Sequence, residues 1–343
     1  MPHSVLTTHD LSIGYRAARQ PATVVARDIS VALHAGELVC LIGPNGTGKS
    51  TLMRTLAGMQ PALGGQVRLG DDDVFTLKAR ELARRMSIVL TERVDVGNLS
   101  AYALVALGRH PYTDWTGHLS DGDEAVVRWA IESVGARHLA DRPVDELSDG
   151  ERQKIMIARA LAQEPDVMLL DEPTAFLDLP NRVEVMRVLR HLTRTTGRAI
   201  LLSTHDLDLA LRSADTLWLM PLHAPMQIGA PEDLVLSGAL ETTFTREGVT
   251  FDRQTGAFTI LMPQTGRVML TGSGLEAVWT RRALAREGFD VVDSHDMSNV
   301  TQAPVHVELV TRDRTVWHVS TRDTTHDLYS VYELLAFLRQ HNA

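Results

Sequence analysis

The stretch Gly43-Pro44-Asn45-Gly46-Thr47-Gly48-Lys49-Ser50 has the spacing GxxxxGK(S/T). Glycines there let the backbone curl so that successive N–H groups point inward at phosphate oxygens. Lys49 would add a full positive charge for the β- and γ-phosphates, and the Ser50 hydroxyl can ligate Mg²⁺. The apolar run Leu38-Val39-Cys40-Leu41-Ile42 precedes the loop, and a helical pattern through Thr51, Leu52 and Leu56 follows it. A strand feeding a helix N-terminus is the context an anion-binding loop needs. The pattern predicts a bound nucleotide.

Two further clusters end apolar runs. Val167-Met168-Leu169-Leu170 runs into Asp171-Glu172, and Ala199 to Leu202 runs into Ser203-Thr204-His205-Asp206. Buried parallel strands deliver their C-terminal ends to a ligand crevice. Asp171 then reads as a holder of Mg²⁺, Glu172 as the base that deprotonates an attacking water, and His205 as a donor to the γ-phosphate. Leu147-Ser148-Asp149-Gly150-Glu151 precedes a helix over Arg152 to Gln163. Ser148 and Glu151 have the spacing of a capping box, and the same helix start is a second anion site. Since Gly43 to Ser50 already cradles one nucleotide, that second site would face a nucleotide held by another copy. Tyr15, on an N-terminal strand, reads either as half-buried packing or as a ring stacked on adenine.

The elements that must hold these residues alternate. Strand-like runs cover Val24 to Leu33, Glu37 to Ile42 and Met86 to Leu90, and a helical insertion covers about 94–163. Apolar strands return at Val167 and Ala199 with a helix, Val183 to Thr195, between them. Continuous apolar strands separated by helices predict a mostly parallel α/β sheet covered on both faces. The character changes near Glu241 to Gly248, which divides the chain into 1–244 and a small α+β domain, 245–343. That domain begins with a hairpin-like TFDRQTGAFTIL, and its closing helix is expected from about Leu328 to Arg339. Gly272-Ser273-Gly274 reads as a plain strand-to-helix connection, and His295, His306, His318 and His326 as scattered solvated or structural residues.

Composition narrows the class. With 343 residues, 44% of them hydrophobic, the chain can bury a full core. A net charge of −9 argues against a broadly basic nucleic-acid surface, and the single cysteine, Cys40, excludes an internal disulfide framework. No apolar run approaches the roughly 18 residues of a membrane span, and MPHSVLTTHD lacks the pattern of a secretory signal. A cytoplasmic chain is expected.

Taken in order, the phosphate loop, LSDGE, VMLLDEP, the Thr174-Ala175-Phe176-Leu177-Asp178 turn and Ser203-Thr204-His205-Asp206 resemble the motifs of ATP-binding-cassette ATPases, over about residues 1–244. The resemblance implies a P-loop NTPase cassette with a mixed, mostly parallel sheet and a helical subdomain. It also implies two ATP, with Mg²⁺, sandwiched in a head-to-tail homodimer. Each phosphate loop, with Thr51, would face the partner copy's Ser148, Asp149, Gly150 and Glu151, and Asp178 would lie at the seam. Roles for Tyr15 at adenine, Glu172 as base and His205 at the γ-phosphate follow from it too. Two departures stand out: LSDGE replaces the family's LSGGQ, and Glu92 occupies the place of a metal-contacting glutamine.

Leu90 to Arg93, Leu104 to Tyr112 and Thr174 to Pro180 are similar to the ATPase subunits of importers for ferric siderophores, haem and vitamin B12. That similarity implies a peripheral subunit at the cytoplasmic face of the membrane. Its surface between Arg93 and Trp115 would receive an integral-membrane permease, and a periplasmic or surface substrate-binding protein would act indirectly. A cassette acting on nucleic acid or ribosomes is the alternative; it predicts paired cassettes in one chain, a long coiled coil or a basic face. A non-catalytic nucleotide-gated scaffold would not need Glu172 and His205 together.

Overall fold

The computed structural model describes residues 3–16, 21–91, 97–245, 249–253, 256–260, 263–293, 305–311, 314–321 and 324–341. Two compact units emerge: Met1–Phe244 with Arg253–Ala257, and Thr245–Asp252 with Phe258–Ala343.

The first unit is built on two sheets. Its N-terminal strands are β1 (Ser4–Tyr15), β2 (Thr23–Ile29), β3 (Ala32–His34), β4 (Leu38–Ile42), β5 (Gly64–Leu69) and β6 (Asp72–Asp73). Helix α1 (Lys49–Leu56) follows β4; α2 (Ala79–Arg85) leads into β7 (Met86–Val89). Then come α3 (Ala101–Ala106), α4 (Asp121–Ser133), α5 (Asp149–Ala162), β8 (Val167–Asp171), α6 (Leu179–Thr196) and β9 (Ala199–Ser203). The unit closes with α7 (Leu207–Ser213), β10 (Thr216–Leu219), β11 (Gln227–Gly229), α8 (Pro231–Leu236) and α9 (Ala239–Phe244).

The central sheet has the order β11-β10-β4-β9-β8-β7, parallel throughout except for the edge strand β11. Every residue of β4, β8 and β9 is buried, which is why these strands read as unbroken apolar runs. Each such Leu, Ile or Val removes enough apolar surface from water to stabilise the fold by about 1.5–3 kcal/mol. Register pairs Leu41 with Ser203 and Asp171 with Ser203, so the C-terminal ends of β4, β9 and β8 lie side by side.

β1, β2, β3, β5 and β6 form the antiparallel sheet. Here the expected single strand from Val24 to Leu33 divides into β2 and β3. The cause is the buried Thr8. Its hydroxyl donates to Ile29 O (2.8 Å) and accepts from Val31 N–H (3.0 Å), satisfying the backbone at the break. β5, β6, β10 and β11 were not anticipated; β6, β10 and β11 are only two to four residues long, and β5 opens on Gly64-Gly65.

Helices α3, α4 and α5 pack on one another, with short 3₁₀ turns between them rather than one continuous helical stretch. Arg109 organises this packing. Its guanidinium is buried, donates to Asp123 (2.8 Å), Glu164 (2.7 Å) and Ala162 O (2.8 Å), and lies over the Tyr112 ring. A planar guanidinium can bond these three acceptors from Nε and Nη1 and still lie over the ring, which a point-like ammonium does not reproduce.

α5 and α6 are tied by Glu184, which accepts from Lys154 Nζ (3.2 Å) on α5 and from Arg187 (2.8 Å) on its own helix. The Arg187 hydrogen bond and the Lys154 charge hold its carboxyl down at about 2. A lowered native pKa stabilises the fold above the ordinary carboxylate range, and this is lost as pH falls toward 2. Glu184→Gln is therefore expected to lower the melting temperature at neutral pH, with the gap to the native chain closing between about pH 5 and about pH 2. A constant gap across acid melts would show that the ion pairs contribute nothing.

The second unit holds β14 (Gly266–Thr271), α10 (Gly274–Arg286), β15 (Phe289–Asp293), β16 (Val305–Thr311), β17 (Thr315–Ser320), β18 (Thr325–Leu328) and α11 (Val331–His341). A two-stranded sheet, β12 (Val249–Asp252) and β13 (Ala257–Ile260), precedes them. The five-stranded order is β15-β14-β16-β17-β18, with the two parallel pairings at β14. Val268, Leu270, Val307 and Val319 face Leu284, Leu334 and Leu338 of the two helices. Trp317 Nε1 donates to the buried Thr280 hydroxyl at 2.7 Å.

The closing helix begins at Val331, not at Leu328, because Thr325–Leu328 pairs with β17. Ser330 Oγ accepts from Glu333 N–H (3.1 Å) and Glu333 accepts from Tyr329 N–H (2.7 Å), which fixes the start. His306 and His318 lie on β16 and β17; His295 is outside the described residues. Among the described residues no helix is long and apolar enough to cross a membrane.

Candidate nucleotide site

The phosphate loop leaves β4 and ends at Ser50, the second residue of α1. Gly48 has φ +100, and a Cβ there would lie 2.4 Å from Val25 Cγ1; backbone and space both require glycine. At Gly43 a Cβ would meet Met220 O at 2.3 Å. Thr47 Oγ1 closes the loop onto Pro44 O (3.0 Å). Lys49 Nζ bends back to donate to Gly43 O (2.8 Å) and Pro44 O (3.1 Å). Burial holds the Lys49 ammonium below the ordinary lysine range, opposed by the nearby charges of Glu172 and Asp171. Asn45 and Gly46 form the outward turn, where a Cβ on Gly46 would meet nothing within 4 Å.

Next to the loop lies Asp171. Its Oδ1 accepts from Ser50 Oγ (3.2 Å) and from Ser203 Oγ (2.7 Å), and its backbone carbonyl accepts from Thr91 Oγ1 (2.8 Å). A hydroxyl and a carboxylate this close form a hard oxygen pair, the donor set that suits Mg²⁺. Glu92 lies outside the described residues.

Glu172 follows with φ +50, a left-handed backbone that a non-glycine residue adopts at a cost of about 1–3 kcal/mol. Its N–H donates to Ser203 Oγ (2.9 Å), and its Oε1 lies 2.7 Å from His205 Nε2. The Tyr15 hydroxyl is 2.7 Å from Thr51 Oγ1, and Tyr15 is half-exposed.

Ser148, Asp149, Gly150 and Glu151 cluster at the start of α5, where Asp149 lines a pocket with Thr91 and Glu172. Ser148 Oγ accepts from Glu151 N–H (3.4 Å), while Glu151 Oε2 accepts from Ser148 N–H (2.9 Å) and Oγ–H (2.8 Å). The Ser148 bonds, with Arg142 3.4 Å away, hold the Glu151 carboxyl below its usual range. Gly150 packs on Asn181: a Cβ would sit 2.5 Å from Asn181 Oδ1. Asn181 N–H in turn donates to Asp178 Oδ1 (3.1 Å), the cap of α6. The starts of α5 and α6 thus form one polar corner, and Phe176 beside it is exposed.

Lys49, Ser50, Asp171, Glu172 and His205 come together, and Thr51, the next residue of α1, contacts Tyr15 at the end of β1. Ser203, Thr91 and Asn181 were given no individual role from the sequence. Ser203 stood beside His205 in the strand-end motif, but nothing in a linear reading pairs it with Asp171.

Residues 26–175 match the ABC transporter family, and 265–339 match the iron ABC transporter C-terminal domain. Over 293 residues the chain is 38% identical to an uncharacterized ABC transporter ATP-binding protein, MJ0873 of Methanocaldococcus jannaschii, covering 85% of this chain and 99% of that protein. The chain belongs to the ABC transporter ATP-binding proteins. This ABC ATPase is also 36% identical over 207 residues to the iron(3+)-hydroxamate import ATP-binding protein FhuC of Bacillus subtilis, covering 60% of this chain and 75% of that one. Among solved structures, cbiO1 of Clostridium perfringens, part of the ABC transporter complex cbiONQ, aligns with TM-score 0.60 and 26% identity. The alignment covers 69% of the ABC ATPase and 95% of cbiO1. As a member of this family the chain binds and hydrolyses ATP.

Proposed function

We propose that this ATPase drives an importer for an iron-siderophore, haem or corrinoid compound, working as a head-to-tail pair of copies on a partner permease at the cytoplasmic face of the membrane. One observation carries the pairing. Lys49, Ser50, Asp171, Glu172 and His205 gather at one set of strand ends, while Ser148 and Gly150 contact Glu151 and Asn181 at the starts of α5 and α6. Each copy then supplies the phosphate loop to one ATP and the Ser148–Gly150 helix start to the other.

Within that arrangement Lys49 turns from its own loop carbonyls to the β- and γ-phosphates, and Tyr15 stacks on adenine. Glu172 takes a proton from the attacking water, and His205 holds the Glu172 carboxylate and reaches the γ-phosphate. Ser50 and Asp171 would hold Mg²⁺, which when bound neutralises charge on the β- and γ-oxygens. Glu92 is proposed as a third contact to the metal. Glu151 brings a carboxylate to a place that faces phosphate, and Arg142 beside it offsets that charge. The iron C-terminal match and the FhuC likeness support the cargo class. The segment from Arg93 to Trp115 is proposed to receive the permease; its Leu107 and Trp115 are exposed.

Turnover per molecule tests the pairing. It is expected to rise with protein concentration and saturate as pairs form; a flat, full rate in dilute monomer would overturn it. Cells lacking the chain are expected to lose uptake of one of the three cargo classes, and unchanged uptake of all three would overturn the transport reading.

A further inference from the structure

Ser203 ends β9, is 0% exposed, and carries one hydroxyl between two groups of the site. Directions are fixed by chemistry. Asp171 can only accept, so Ser203 donates its proton there (2.7 Å); Glu172 N–H can only donate, so a Ser203 lone pair receives it (2.9 Å). We infer that Ser203 is a positioning residue for hydrolysis: its hydroxyl sets the Asp171 carboxylate and pins the backbone of Glu172.

The second contact matters because Glu172 is held at φ +50, a conformation that persists only where its surroundings fix it. An N–H anchored to an adjacent buried strand is such a constraint, and the carboxylate it aims lies against His205. The first contact matters because Ser50 and Ser203 both bond the same oxygen, Oδ1, so the carboxylate plane is held from two elements, α1 and β9. Register supports both: Ser203 lies opposite Asp171 on β8 and opposite Leu41 on β4, between the acids and the strand that feeds the phosphate loop. The hydroxyl of Ser203 bonds Asp171 Oδ1 and Glu172 N–H. Its effect passes through its two neighbours.

This inference rests on Glu172 being the base, and the experiment separates the two. Ser203→Ala, Ser203→Thr and Glu172→Gln are purified and assayed for kcat and KM, for ATP Kd by equilibrium binding, and for melting temperature. For S203A the expected result is a kcat at least about tenfold lower, with KM and ATP Kd changed far less and a melting temperature lowered only modestly by the two lost buried hydrogen bonds. S203T, which keeps the hydroxyl, is expected to recover most of that loss. A native kcat in S203A while E172Q is inactive overturns the positioning role. So does a parallel loss of kcat, ATP binding and melting temperature that S203T does not repair, which is the signature of packing alone. If E172Q itself turns over at the native rate, the base assignment fails, whatever S203A does.

Discussion

Glu172→Gln is expected to leave ATP affinity nearly native and to cut turnover by about a hundred- to ten-thousandfold, the range a positioned general base supplies. The substitution is nearly isosteric and keeps the backbone N–H that bonds Ser203, so the φ +50 turn and the Asp171 anchor survive. What disappears is the ability to take a proton. The amide oxygen can still accept from the His205 ring in place of the carboxylate now 2.7 Å from it. ATP binding, which depends on the loop and Lys49, has no reason to weaken, so the variant is expected to accumulate as ATP-loaded pairs. Light scattering with ATP reads the pairing, and steady-state phosphate release reads the turnover. A native release rate would remove Glu172 from the chemistry.

Lys49→Ala produces the second large effect, on binding. A charge-assisted hydrogen bond contributes about 1.5–3 kcal/mol, so ATP affinity is expected to fall roughly ten- to 150-fold, at 1.4 kcal/mol per tenfold. The ammonium is already buried in its own loop and held below the usual lysine range by that burial, so it reaches the phosphates without a large new loss of hydration. Removing it also removes a buried charge, which limits the damage to the fold. The readout is the rise in melting temperature on adding ATP, which scales with ligand concentration over Kd. In K49A that rise is expected to shrink strongly while the melting temperature without ATP stays close to native. An undiminished rise would show that the loop N–H groups suffice.

Much of the chemistry was written in the chain itself. Gly43 to Ser50 needs only local geometry: glycine torsions, a feeding strand and a helix start, all set within about a dozen residues. The buried strands Leu38–Ile42, Val167–Asp171 and Ala199–Ser203 declare themselves because burial on both faces demands unbroken apolar residues. Ser148 and Glu151 form their capping box from four consecutive residues. The division of Val24 to Leu33 was hidden, because the group responsible, Thr8, lies on another strand. The start of α11 was available in Ser330 and Glu333, but the pull of Leu328 toward a helical pattern competes with its pairing to β17.

Only the tertiary structure decided how the acids are held. Asp171 and Ser203 are 32 positions apart and Ser50 and Asp171 are 121 apart, so their bonds depend on strand order and register. Those are long-range properties, fixed when the sheet closes on its core. Sequence names the groups that carry charge and protons. The packed sheet sets the few tenths of an ångström and the strained Glu172 torsion that let them act together.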